Sequence, residues 1–479
     1  MTDNQTQSPS KSGGGKSDSA ISDFGIDTTS RTTGEAFRDY FAKVRGGEFG
    51  ALPAVAGLIV LLIVFSGLSS FFLTLNNIAN LIDQGAGETI IAIGVVFVLL
   101  LGEIDLSAGT ASGVCAAVAA LHLQSNGNLL GAMGPTFYYG FIIVLVVTVV
   151  VAAVLRIWAG AVLALVAVIL MVSGFGPNPW LEMLLAVCVG SGIGIVTGAL
   201  VAKVRIPSFV VTLAFFLAWN GVVIQMVGNQ GTIPLRNSPV LYAVANGNLS
   251  LVASWILLIV AGGGYGVVVL YRHFSRLRKG LVAQPTAMIL IKVGIVLVLG
   301  VVATWLLTLN RSPNPLSSNI SGVPYVVPVI LVLMVVGSYV LDRTRYGRHI
   351  YAVGGNKEAA RRAGVNVDKI RTSVFVICSS LAAVGAIVYS SKIGSVSGAA
   401  GAGNELLFAV GAAVIGGTSL FGGRGRVRDA VIGGAVLATV QNGLNLLGFQ
   451  AATVNIVTGF VLLVAATVDA LSRRRAAAR

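Results

Sequence analysis

The chain has 479 residues, 55% of them hydrophobic and 10% charged, with a mean hydropathy of +0.88. Soluble domains carry about 25% charged residues, so this composition excludes an ordinary soluble domain and predicts an all-α polytopic membrane protein. The net charge of +14 is distributed with the membrane and is no nucleic-acid signal. Cys115, Cys188 and Cys378 lie in apolar runs, and His122, His273 and His349 are far apart, so neither a disulfide framework nor a metal or cofactor site is expected.

Residues 1–33 are rich in Ser, Thr, Gly, Gln and Asp with almost no aromatics, and residues 1–49 are expected to form a disordered tail. Ser12-Gly-Gly-Gly-Lys-Ser17 looks briefly like a phosphate-binding loop. That pattern needs glycine where Ser10 stands and a strand before it, so the stretch reads as low complexity. Residues 35–45 place Phe37, Tyr40, Phe41 and Val44 on one side of a short interfacial helix.

A membrane-spanning helix needs about 20 apolar residues. Candidate segments lie at 51–72, 78–101, 107–123, 138–155, 157–173, 181–202, 207–228, 251–271, 285–308, 325–341, 371–391, 405–421, 429–448 and 452–470, fourteen in all. Three of them, 107–123, 157–173 and 405–421, are short and rich in small residues, which marks them as re-entrant candidates. The run 138–173 is interrupted only by Arg156, and the split is placed there.

Charge supplies the orientation. One set of loops holds Arg156, Lys203, Arg205, Arg272, Arg276, Arg278, Lys279, the basic residues of 343–371, Arg424, Arg426, Arg428, Arg473, Arg474 and Arg475. The other set holds Arg236, Arg311 and Lys392. This positive-inside pattern predicts that both termini and the stretch 342–370 are cytoplasmic. The outer loops 125–137, 229–250 and 309–324 are rich in Asn, Gly, Ser and Pro.

Leu101-Gly-Glu-Ile-Asp-Leu-Ser-Ala-Gly-Thr110 brings two carboxylates to the membrane. A carboxylate at the bilayer centre costs ~2.5–3.5 kcal/mol, so Glu103 and Asp105 sit at the cytoplasmic end of a span or line a wet cavity. Asp105 or Ser107 can cap the next helix, and Gly102 and Gly109 allow a break. The segment is therefore either a broken helix beside a translocation path or a tight cytoplasmic turn with capping roles alone. Asn220 and Gln225 interrupt 207–228, and Asn442 and Asn445 interrupt 429–448. Such amides line a path or bond neighbouring helices. Glu103, Asp105, Ser107, Asn220, Gln225, Asn442 and Asn445 are the candidate path residues.

The longest strongly polar stretch after the tail is 351–370. Asn356 can cap a helix, Glu358 then sits at its positive end, and Gly364 can close it in the left-handed conformation. A helix of roughly two turns is marginal alone, so this one is held by a partner surface or is a solvated connector.

Glu358-Ala-Ala-Arg-Arg-Ala-Gly364 reads E-A-A-x-x-x-G and resembles the cytoplasmic loop by which the membrane subunits of bacterial ABC importers dock their ATPase. Gly102-Glu-Ile-Asp-Leu-Ser-Ala-Gly109 is similar to the G-[GE]-I-D-L-S-x-G segment of the ribose/xylose/galactose branch of those permeases. Tyr351-Ala-Val-Gly-Gly-Asn356, Ile206-Pro-Ser-Phe-Val-Val-Thr-Leu213, Gly231-Thr-Ile-Pro-Leu235, Ile415-Gly-Gly-Thr-Ser-Leu-Phe-Gly-Gly-Arg-Gly425 and Asn442-Gly-Leu-Asn-Leu-Leu-Gly448 resemble the same branch. Glu103 and the trailing Leu471-Ser-Arg-Arg-Arg475 favour its xylose-type, multiple-sugar subgroup. The resemblance covers about residues 50–130, 180–250 and 325–475.

The resemblance implies a permease domain over 50–475, not an enzyme, in the bacterial cytoplasmic membrane. It implies a vitamin-B12-permease-like fold with an inverted internal repeat, faintly echoed by 94–124 and 411–441. The implied partners are a cytosolic ATPase with two fused nucleotide-binding domains, an extracytoplasmic sugar-binding protein and a second permease copy in a homodimeric or pseudo-dimeric pore. The docking residues would be Asn356, Glu358, Ala359, Ala360, Arg361, Arg362 and Gly364. Common members have about ten spans, so 138–173 and 285–308 read as extra helices. The expected function is ATP-driven import of a xylose- or pentose-like monosaccharide by alternating access. The rival expectation is an ion-coupled secondary transporter with Glu103 or Asp105 as carrier.

Overall fold

The computed structural model describes residues 51–228, 231–281, 283–312 and 319–477, with Gly34 and Arg38. The expected tail over 1–49 and the interfacial helix over 35–45 otherwise lie outside the described residues. The chain enters at α1 (Leu52–Leu68), α2 (Leu75–Leu100), α3 (Ala108–Gln124) and the one-turn α4 (Leu129–Met133). It continues through α5 (Pro135–Val154), α6 (Trp158–Ser173), α7 (Pro179–Ala199, extended by a π turn over Leu200–Val204) and α8 (Ser208–Val227). After β1 (Thr232–Pro234) come α9 (Pro239–Asn246), α10 (Leu251–Leu258), a π turn, α11 (Gly264–Arg278) and α12 (Thr286–Thr308). The last part holds α13 (Val326–Arg343), α14 (Arg345–Gly355), α15 (Lys357–Arg362), α16 (Val367–Ile393), β2 (Ser395–Ser397), α17 (Glu405–Ile415), α18 (Val427–Leu446) and α19 (Ala451–Ala477).

A helix stands at each of the fourteen expected apolar segments, yet only eight helices are long and apolar enough to cross a membrane among the described residues. The segment expected over 405–421 ends at Ile415, because Gly416 and Gly417 follow and Gly417 takes φ +116°. At about 1.5 Å per residue this helix reaches roughly half-way across a bilayer. The break at Arg156 is where it was placed: Arg156 takes φ +56° between α5 and α6.

Small residues decide which helices meet. Gly190, Gly194 and Gly198 recur every four residues on α7, one above the other on one face. A Cβ on each would lie 2.6 Å from the Ser379 carbonyl oxygen, 2.5 Å from that of Phe375 and 2.7 Å from Thr372 Cα, all backbone atoms of α16. On the opposite side, Gly94 of α2 brings its missing Cβ within 2.9 Å of the Cys378 carbonyl oxygen. The glycines on α2 and α7 thus let α16 pack backbone to backbone between them, the device membrane helices use where no hydrophobic drive separates helix from lipid. Next to α2 lies α18, where Gly434 leaves room for Thr89 and Gly85 for Ala438. Gly194→Val should separate α7 from α16, since backbone cannot yield as a side chain can. The expected result is a loss of about 1–3 kcal/mol or more, read as a lower melting temperature and yield in detergent. Gly221→Ala, with nothing within 4 Å, is the matched control.

The two blocks expected to be extra differ in their packing: 138–173 gives Phe141, Leu145 and Met171 to the core, and 285–308 is largely exposed. The helices α5 and α6 pack on one another and on α7, and only 6% of the most apolar window of α12 is buried. Besides α4 within the expected loop 125–137 and α14 ahead of the expected polar helix, two further features were not expected. Thr232–Pro234 pairs antiparallel with Ser395–Ser397, Ile233 opposite Val396. The second is α9 inside the expected loop 229–250, started by Ser238, whose side chain accepts from Leu241 N, and by Pro239. The backbone of a three-residue strand carries too little pattern to be read from sequence.

The stretches 94–124 and 411–441, in which the sequence faintly echoes a repeat, meet at their turns. Both stretches run to the same end of the bundle, turn, and run back, and their turns touch: Gly423 N donates to the Leu100 carbonyl at 2.9 Å. A Cβ on Gly102, at φ +69°, would meet the Phe421 carbonyl oxygen at 3.1 Å.

Candidate functional site

The turns 101–107 and 416–426 share their end of the bundle with α14 and α15, and it is here that the polar stretch 351–370 is held. Thr344 starts α14 by accepting from Gly347 N at 3.1 Å. Ile350 and Val353 of α14 are fully buried. Gly354 lies so close to the Leu100 carbonyl that a Cβ would fall 1.8 Å from its oxygen. Tyr351 donates its hydroxyl to the Gly425 carbonyl at 2.8 Å. The approach to the exposed helix is therefore clamped onto both turns.

The helix then forms as its residues dictate. Asn356 Oδ1 accepts from Ala359 N at 2.9 Å, and Glu358 stands in the first turn. Gly364 takes φ +82°, and Val365 N returns to the Ala360 carbonyl at 3.0 Å, the closing bond of a left-handed cap. Asn366 starts α16 through Lys369 N at 2.9 Å. Of the seven residues expected to dock a partner, Ala360 is buried as the foot of the helix, while Asn356, Glu358, Ala359, Arg361, Arg362 and Gly364 are exposed. Glu358 is flanked by Arg361 at 3.4 Å and Arg362 at 3.5 Å, so the surface alternates in sign and is not uniformly basic. Asn356→Ala should cost about 1 kcal/mol of local helix stability, read as faster amide exchange at residues 357–362.

Beneath this helix lies Glu103. One of its carboxylate oxygens receives Lys357 Nζ at 2.7 Å and Arg371 Nη2 at 2.8 Å. Glu103 is 4% exposed. Burial opposes its ionisation, but the hydrogen bond from Lys357 and the charge of Arg371 overcome that and hold the carboxyl below its ordinary range. A carboxylate in the turn before α3 thus ties together the first residue of α15 and the first turns of α16. Its neighbour Ile104 is tied to α8, through Ser208 Oγ at 3.4 Å and Thr212 Oγ1 at 3.3 Å.

Asp105 is 3% exposed, and its Oδ1 accepts from Ser107 N at 3.0 Å and Ser107 Oγ at 2.6 Å just before α3. Glu103, Asp105 and Ser107 accordingly serve an ion pair and a helix start. The other candidate path residues lie elsewhere. Asn220 is half-buried and Gln225 exposed on α8, which packs on α3. Asn442 is buried on α18, which packs on α2 and α17, and exchanges hydrogen bonds with Asn77 at 2.8 and 2.9 Å. Asn445, one turn on, is exposed. The seven do not form one lining within the single chain.

Lys357 was missed as a functional residue because its partner is 254 positions away; only its place beside the cap and the uncompensated Glu103 hinted at it.

A family model described as branched-chain amino acid transport system / permease component matches residues 157–466. The xylose transport system permease protein XylH of Escherichia coli is 30% identical over 439 residues, 91% of this chain and 95% of that protein. XylH of Haemophilus influenzae is 30% identical over 404 residues, 84% of this chain and 91% of the relative. The ribose import permease protein RbsC of Escherichia coli is 30% identical over 432 residues, 90% and 96% of the two chains. No solved structure matches.

Proposed function

We propose that this chain, which belongs to the branched-chain amino acid transport system / permease component family and is a sugar-importer permease of the xylose and ribose kind, moves a xylose- or pentose-like monosaccharide inward by ATP-driven alternating access. A separate ATPase with two fused nucleotide-binding domains supplies the energy. An extracytoplasmic binding protein delivers the sugar, and a second copy of the permease completes the pore. The basic end of the bundle, with both termini, faces the cytoplasm.

The observation that carries the reading is the join between α15 and Glu103. A helix exposed on six of its expected docking positions is useful only if its displacement reaches the spans. Here Lys357 leaves the same helix and bonds the buried Glu103, which stands in the turn between α2 and α3 and holds Arg371 of α16. Closure of two nucleotide-binding domains against α15 therefore pulls on the turn 101–107 and on the cytoplasmic end of α16 together. The α16 helix is packed by backbone contact between α2 and α7, so it moves with them as a unit. Gly364 gives α15 its sharp exit and keeps the lever short.

The rival, ion-driven reading would use Glu103 or Asp105 as the carrier. Glu103 is held by two cations, an arrangement that opposes repeated protonation, while Asp105 is engaged through Oδ1 at the start of α3. Vesicles reconstituted with this chain, the ATPase and the binding protein decide between them. Uptake that stops without ATP and ignores an uncoupler is expected. Uptake that persists without ATP and collapses with the uncoupler would overturn the proposal.

A further inference from the structure

A cleft of about 430 Å³ lies between α6 and α13 and is floored by α2 and α16. Small-molecule sites commonly measure about 300–1,000 Å³. Phe97 and Ile377 belong to the floor, Leu163 and Val336 to the walls. Each wall has its own neighbours: α6 packs on α5 and α7, and α13 packs on α2, α14 and α18. Two lining residues, Ala159 of α6 and Val336 of α13, are exposed, so the cleft opens outward to the lipid side and not into the bundle.

The cleft also has a direction. Its lining runs from Ile157, Tyr346 and Ser373 at the docking end to Leu381. Ser373 to Leu381 on α16 is about 12 Å of helix, most of the roughly 15 Å of hydrocarbon in one leaflet. Trp158 and Tyr339 are exposed next to the lining residues Ile157 and Val340, the place of such rings at a membrane–water boundary. The cleft is therefore an apolar slot that starts at headgroup level and descends through one leaflet.

Cations stand at its open end. Arg156 precedes Ile157, Arg345 precedes Tyr346, and Arg343 lies three residues past Val340, on the same helix face. All three are exposed, and none has an ion-pair partner among the described residues. Asp342 is the one acid within 341–346, and 155–158 has none. The hydroxyls of Tyr346 and Ser373 bond each other at 2.7 Å, so charge distinguishes the mouth.

We propose that this cleft holds an acyl chain of an anionic phospholipid, with the lipid phosphate against Arg156, Arg343 and Arg345. A basic mouth over an apolar slot complements that molecule in charge and in shape. Guanidinium groups suit phosphate oxygens, and basic pockets between membrane helices select anionic headgroups. Water is a poor occupant, because each molecule needs about two to four polar partners. An empty cleft would forfeit the contacts of its whole lining. The site goes beyond the sugar-import reading and stands without it, since it needs only the membrane. It also gives the segment 157–173 a task, as one wall of a lipid site.

The test uses the full chain in mild detergent, stripped of lipid and titrated with a phosphatidylglycerol and with a phosphatidylcholine of the same acyl chains. Native mass spectrometry reads the number bound, the affinity and the oligomeric mass. One phosphatidylglycerol per chain is expected, about tenfold tighter or more than phosphatidylcholine. Val336→Trp and Ala159→Trp, which fill the cleft from opposite exposed walls, should each weaken both lipids by about tenfold or more. Val332→Trp, exposed on α13 but outside the lining, should bind as the unaltered chain does. Arg156→Asn combined with Arg345→Gln leaves the cleft intact and should bring phosphatidylglycerol down to the phosphatidylcholine level. Equal binding of the two lipids by the unaltered chain would overturn the headgroup assignment and the site. A phosphatidylglycerol preference that survives both tryptophans would place the lipid elsewhere. Tryptophans that lower the oligomeric mass and leave lipid binding unchanged would make the cleft a contact between two copies of the chain, which also overturns the proposal.

Discussion

Glu358→Lys is expected to stop uptake in a chain that still folds. The side chain is 58% exposed, and its two contacts, to Arg361 and Arg362, are themselves 54% and 80% exposed. Exposed pairs of this kind contribute ~0.2–1 kcal/mol, so the bundle should melt within a few degrees of the unaltered protein. The cost falls on the partner. A lysine in the first turn opposes the helix dipole and turns an alternating surface into three adjacent cations. A residue central to a docking patch commonly costs ≥2 kcal/mol on disruption, about 30-fold in affinity. Uptake should drop by about that factor or more, and the co-purifying ATPase should be lost from mildly solubilised membranes. Gly364→Val should act in the same direction, because φ +82° strains any β-branched residue and rotates the exit from α15. If Glu358→Lys carries sugar at the normal rate and retains its ATPase, the docking assignment is wrong.

What could be read from the sequence follows the range of the forces involved. The helix at 357–362 was legible because everything that starts and stops it is local: Asn356 for the cap, Glu358 for the dipole, Gly364 for the left-handed exit. The apolar segments were legible for the same reason, as hydropathy is a property of consecutive residues. The role of Glu103 was not. From sequence it read as a wet-cavity carboxylate beside a path or as a turn residue, and the difference is made by Lys357 and Arg371, both more than 250 positions on. The path residues were the least legible. Amides in membrane helices stand out by type, but Asn442 is satisfied by Asn77, 365 positions away, a pairing that no local pattern announces.

Glu103→Ala should be the most damaging single change at the docking end, and its damage should be of two kinds. Removing the carboxylate leaves Arg371, 15% exposed, without its counter-charge, and frees Lys357, 45% exposed. Breaking a buried pair from one side costs about 3–5 kcal/mol; the exposure of Lys357 places this case toward the lower figure. The second kind is mechanical. With Glu103 gone, α15 is attached to the spans only through the chain and the buried Ala360, so ATP hydrolysis should continue while uptake falls. Glu103→Gln separates the two, because it keeps the volume and an acceptor for one of the cations: stability should largely return and coupling should return only in part. The pH dependence carries the same signature. Glu103 is held below its ordinary value of 4.5 in the folded chain, so the unfolded chain binds the proton first as pH falls. Its contribution is complete above that ordinary value and is lost as pH drops through the folded one. The melting temperatures of the unaltered chain and of Glu103→Ala should therefore differ most at neutral pH and converge in acid. A constant gap from pH 7 down to pH 3 would mean that the side chain acts by packing and not by charge, and would remove Glu103 from the coupling path.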